Sequence, residues 1–155
     1  MFPAASRLLV ALAMLGCVSF ASTPAIAQDA DQQVLGTISG QELQKILQSE
    51  GYLNVVVDAD GDLNFKIEGT KVQIFVAENQ QSIQFHSAWA GTNATLRSVN
   101  EWNKTKKYSK AYLDDDADPH LELDLDLAGG VTVARIKDFV ATCKLSLGLF
   151  EREVL

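Results

Sequence analysis

The sequence predicts an α+β domain: a single antiparallel sheet with flanking helices, in the order α-β-β-β-β-α-β-β-α. Three patterns carry that reading. Leu121, Leu123, Leu125 and Leu127 alternate with Glu122, Asp124 and Asp126, the period of a strand with one apolar face and one acidic face turned to water. Val133, Ile136, Val140, Cys143, Leu147 and Phe150 recur at steps of three and four, the stripe of a long helix packed on a core. Between Gly51 and Trp89 the connections are too short for crossover helices, so the strands there form an antiparallel meander.

Residues 1–27 read as a secretory signal peptide rather than as part of the fold. Arg7 precedes an apolar run from Leu8 to Ala21, too short to span a membrane, and Ser22-Thr23-Pro24 leads into the small-residue site Ala25-Ile26-Ala27. Cleavage before Gln28 implies a periplasmic or secreted protein of a Gram-negative bacterium, with no integral membrane segment left. The alternative is lipoprotein processing at Cys17, after Met14-Leu15-Gly16, although Leu15 is bulky for that site. Residues 28–37 are polar without a period and read as a flexible leader, and 38–155 as one domain.

Ser39 and Glu42 form a capping box, stapled by Ile38 and Leu43, at the start of a first helix with Leu43, Ile46 and Leu47 on its buried face. Gly51 ends it. Strands at 53–58 and 63–67 flank a hairpin turn whose Asp60-Gly61 both tolerate positive φ. Val72, Ile74 and Val76 alternate in a third strand, and Ile83, Phe85, Ser87 and Trp89 in a fourth. A second helix runs from about Thr95 to Lys106, capped by Thr92 or Asn93. Two more strands flank Asp114-Asp115-Asp116-Ala117-Asp118-Pro119, whose proline is expected to stay out of a central ladder. The third helix starts near Thr132.

The stretch from Val99 to Thr132 sets a Trp-bearing helix (Asn100-Glu101-Trp102-Asn103) before an aromatic strand (Tyr108 to Leu113), the acidic strand, Gly129-Gly130 and the long helix. This order resembles the YbjN family, bacterial proteins labelled sensory transduction regulators. The resemblance covers Ile38 to about Glu151 and implies a fold similar to type III secretion chaperones. It brings no defined reaction with it.

Composition narrows the partners. Once Arg7 leaves with the signal, the 13 basic residues fall to 12 against 20 acidic ones, a net charge of −8. Nucleic acid is therefore not the expected partner, since binding it needs clustered Lys and Arg. Cys143 is the single cysteine of the mature chain, which leaves no intrachain disulfide, and its place in the apolar stripe predicts a buried thiol.

No catalytic constellation accompanies His86 and His120, so the expectation is no enzyme and no cofactor. His86 reads as a partly exposed side chain. Asp58-Ala59-Asp60-Gly61-Asp62 departs from a calcium loop, because glycine falls fourth and Gly69 stands where a bidentate acid belongs. The acidic turn 114–118 and the row Glu122, Asp124, Asp126 support an alternative function, an acidic periplasmic protein that binds divalent cations. The preferred expectation is a binding or regulatory module whose partner is another protein or a second copy. Asn100, Trp102 and Asn103, grouped on one helix, are the first candidate contacts, with Glu122, Asp124 and Asp126 beside them.

Overall fold

The computed structural model describes residues 30–155, so the signal peptide, its cleavage site and Cys17 lie outside the described residues. Helix α1 (Gly40–Ser49) starts as its sequence dictates. The Ser39 hydroxyl accepts the Glu42 N–H, and the Glu42 carboxylate accepts the Ser39 N–H at 2.9 Å. Helix α2 (Leu96–Thr105) is capped by Thr95, not by Thr92 or Asn93. Thr95 is extended, its hydroxyl accepts the Ser98 N–H at 3.1 Å, and the Ser98 hydroxyl accepts the Thr95 N–H at 2.9 Å. Serine here does the work that Glu or Gln usually does, which hid the box. Helix α3 (Val133–Glu153) is capped by Thr132.

The main sheet has six antiparallel strands: β2 (Val56–Val57), β3 (Leu63–Ile67), β4 (Thr70–Val76), β5 (Ser82–Ala88), β6 (Lys110–Leu113) and β7 (Pro119–Asp126). Their order is β2-β3-β4-β5-β7-β6. The meander from β2 to β5 follows the sequence reading, but β2 is shorter than the expected 53–58 because Asn54 turns at positive φ. After α2 the chain lays down β6 at the edge and returns as β7 between β6 and β5. Pro119 does join the ladder, opposite Leu113. It opens the strand, where a missing N–H is tolerated, and its carbonyl accepts the Trp89 N–H.

The expectation of a single sheet needs a correction. A separate ribbon pairs β1 (Val34–Leu35) with β8 (Val131–Thr132), and the Val133 N–H bonds to the Gln33 carbonyl. Gly129 and Gly130, both at positive φ, turn the chain out of β7 before the ribbon. Pairing thus begins at Val34, inside the stretch whose composition suggested a leader.

One face of the main sheet carries Leu63, Phe65, Ile74, Phe85, Leu121 and Leu123, all buried under the helices. The α3 stripe meets them, with Phe150 edge-on to Trp102 at 5.1 Å and beside Trp89 at 5.2 Å. At β6 and just ahead of β2, amide side chains bond to the backbone. Gln44 donates to the Val55 carbonyl at 2.7 Å, and Asn103 takes both backbone groups of Ala111, at 2.9 and 3.0 Å. An edge bonded in this way offers less template for a foreign strand.

Candidate functional site on the open sheet face

No helix among the described residues lies over the other face of the sheet. Side-chain alternation and the registers Gln73 to His86, His86 to Glu122, Lys110 to Glu122 and Tyr112 to His120 collect one polar and aromatic group there. Four rings cross four strands. Phe75 lies 5.6 Å from His86, His86 lies 5.1 Å from His120, and Tyr112 stacks on His120 at 4.7 Å.

His86 Nε2 stands 2.9 Å from His120 Nδ1, and His120 Nε2 stands 3.2 Å from Asp114 Oδ2. For the neutral pair the ionised carboxylate fixes the tautomers. His120 donates from Nε2 to Asp114, its Nδ1 accepts from His86 Nε2–H, and His86 Nδ1 keeps its lone pair. One added proton fits this chain. Two protons set N–H against N–H across the 2.9 Å gap and break it. Burial, and then His120, push His86 below its ordinary value of 6.5, against the pull of Glu122.

Glu122 corrects the reading of a uniformly solvated acidic row. It is 7% exposed, while Asp124 and Asp126 are exposed. Tyr112 donates to Glu122 Oε1 at 2.7 Å, and Lys110 Nζ lies 2.6 Å from Oε2. Burial opposes ionisation of Glu122, but these two partners outweigh it and hold the carboxyl below its ordinary value. The same bond raises the Tyr112 hydroxyl to about 12. Asp124 accepts from Gln84 at 2.8 Å, and Asp126 accepts the Ala128 N–H.

The two acidic turns share one construction. Asp58 accepts the N–H groups of Asp60 and Asp62, and Asp114 those of Asp116 and Asp118. In each the third loop residue, Gly61 or Ala117, has positive φ. Asp60 does not, so the first hairpin has a three-residue loop rather than the two-residue Asp-Gly turn. The inward carboxylates serve the backbone, and no group of three or more His, Cys, Asp or Glu suited to a metal ion occurs among the described residues.

The candidate contacts on α2 do not form a shared surface. Trp102 is 3% exposed, its Nε1–H donating to Ser109 at 3.0 Å, so it belongs to the core. Asn103 is committed to the β6 edge, and Asn100 is exposed. Sequence reading missed Phe75, Lys110 and Tyr112; His86 is the partly exposed side chain expected, but its bond to His120 was not foreseen. The hairpin joining β6 and β7 held the available signal. Once its turn is recognised, the register alone sets Tyr112 opposite His120 and Lys110 opposite Glu122.

Residues 39–154 match the YbjN family, whose description is "Putative bacterial sensory transduction regulator". The chain belongs to the YbjN family. The crystal structure of YbjN from E. coli superposes with a TM-score of 0.52 at 20% identity, covering 71% of this chain and 85% of that one. A chain of the ExsC–ExsE complex superposes at 0.57 and 12% identity, covering 74% and 92%. A chain of the HopA1–SchA chaperone–effector complex gives 0.48 at 13% identity, covering 64% and 81%. No curated protein matches the sequence. This YbjN-family domain thus has the α+β fold of the type III secretion chaperones, as the resemblance implied. No helix among the described residues is long and apolar enough to cross a membrane.

Proposed function

We propose that this YbjN-family protein is an exported, non-enzymatic binding module that holds a segment of another protein against the open face of its sheet. The observation that carries the reading is the row Phe75, His86, His120 and Tyr112, flanked by Glu122, Asp124 and Gln84 on a face that no helix among the described residues covers. Its polar groups are already bonded to one another, which suits recognition better than chemistry. The hydrogen-bonded series from Asp114 ends on His86, and no hydroxyl or thiol among the described residues bonds to that ring. The fold is shared with a chain of the ExsC–ExsE complex, which supports a protein partner.

The signal at 1–27 supports export, so the partner is sought in periplasmic extract. Tagged protein captures it there, and the double substitution Asp124→Lys, Asp126→Lys, at two exposed positions of this face, abolishes capture while the variant still melts cooperatively, lowered only by the loss of the Gln84 and Ala128 bonds. Equal capture by the variant excludes this face. A purified protein that still carries residues 1–27 excludes export.

A further inference from the structure

Helix α3 has a second face that its own domain leaves bare. Asp138, Leu145 and Arg152 recur every seven residues, and Ala141 and Gly148 fall between them. At 3.6 residues per turn these positions, with Leu149, share one arc of the helix, opposite buried Ile136, Cys143 and Leu147. Leu145 is 64% exposed, and the side chains of Asp138 and Arg152 are 70% and 67% exposed. Beside the Glu68 turn this arc forms a shallow groove of about 450 Å³ lined by Ala141, Leu145, Gly148 and half-buried Leu149, together with Arg152 and with Lys144, whose charge is taken up by Glu68 at 3.0 Å. Gly148 is unfavourable in a helix interior and serves nothing within the domain, since an added Cβ would meet no atom within 4 Å.

We propose that this face is a dimer interface, in which α3 of a second copy packs antiparallel about a two-fold axis at Leu145. The charges select both the occupant and its direction. Asp138 and Arg152 lie seven residues either side of Leu145, so antiparallel pairing sets each Asp138 against the partner's Arg152, twice per dimer. Parallel pairing would oppose like charges. Their existing bonds, to Arg135 and Glu153, lie within the same helix and leave both groups exposed for a second partner.

The shapes agree with the charges. Ala141 and Leu149 lie four residues either side of the axis, so small meets large. Gly148 falls opposite Thr142 and permits a close axial spacing of about 8 Å. The seven-residue spacing keeps Asp138, Leu145 and Arg152 on one side of the helix, and the contact is self-complementary, as a two-fold interface requires.

Sedimentation equilibrium on the whole protein tests this. We expect a monomer–dimer equilibrium of roughly micromolar strength, because one helix pair stands at the small end of stable interfaces. Asp138→Arg should weaken it about tenfold or more by opposing like charges, and adding Arg152→Asp should restore it. Gly148→Leu should abolish the dimer by filling the groove, while its melting temperature stays at or above that of the parent, since leucine favours a helix over glycine. A strictly monomeric protein overturns the proposal, whatever else covers α3. So does a dimer indifferent to Asp138→Arg and Gly148→Leu. Either result leaves the sheet-face proposal intact, because that one is read at Asp124 and Asp126.

Discussion

Ala117 holds a φ of 64° in the turn before β7, where the equivalent turn before β3 has Gly61 at 90°. A Cβ in the left-handed region costs on the order of 1 kcal/mol, partly offset by the freedom glycine gains when unfolded. Ala117→Gly should therefore raise stability by roughly 0.5 kcal/mol, read from the urea midpoint at unchanged slope. A lower midpoint would show that the angle is not strained. Cys143 gives a second prediction at this scale. It is 0% exposed, and burial raises its thiol far above the ordinary value. A thiol reagent should modify it only as fast as the protein opens, and full labelling in seconds under native conditions would contradict its burial.

At the scale of elements, strand β6 survives at an edge because α2 bonds to it. Asn103 supplies one donor and one acceptor to Ala111, the pair of contacts a neighbouring strand would make. Asn103→Ala should cost about 1 to 2 kcal/mol for two hydrogen bonds and free the outward groups of the strand. The variant should also aggregate faster below its melting temperature, which light scattering during slow heating would detect. Loss of stability without faster aggregation would reduce Asn103 to an ordinary helix-to-strand contact. The spacing of Asn100, Trp102 and Asn103 was visible in the sequence. That Trp102 points to the core and Asn103 to a sheet edge, while Asn100 stays exposed, depends on where β6 and Phe150 lie.

Across the whole molecule, acid should loosen the open face. Unfolded His86 takes up a proton near 6.5 while the folded ring resists it, so its contribution to stability is present above that pH and declines as the pH falls below it. Glu122 acts in the same direction at lower pH. Its contribution is present above 4.5 and is lost as the pH falls through its depressed folded value. Calorimetric scans should show the melting temperature falling between about pH 7.5 and 5, with His86→Phe flattening that upper limb and sparing the lower one. A melting temperature constant across that range would mean that the histidine chain is not coupled to folding.

The sequence by itself determined the local elements: the Ser39–Glu42 box, the meander from β3 to β5, the buried stripe of α3 and the thiol within it. These depend on side-chain period and on contacts a few residues apart, which the order of residues states directly. Tertiary structure decided the rest. Whether Glu122 is wet or dry is not set by alternation, which assigns it a face but not the Tyr112 and Lys110 that cover it. The β5–β7 pairing that joins His86 to His120 spans an intervening helix and strand, and the β1–β8 ribbon joins the segment before α1 to the one just before α3. A strand's period carries no record of its neighbour. The candidate site was therefore legible as separate residues, and only the order of strands across the sheet made it one surface.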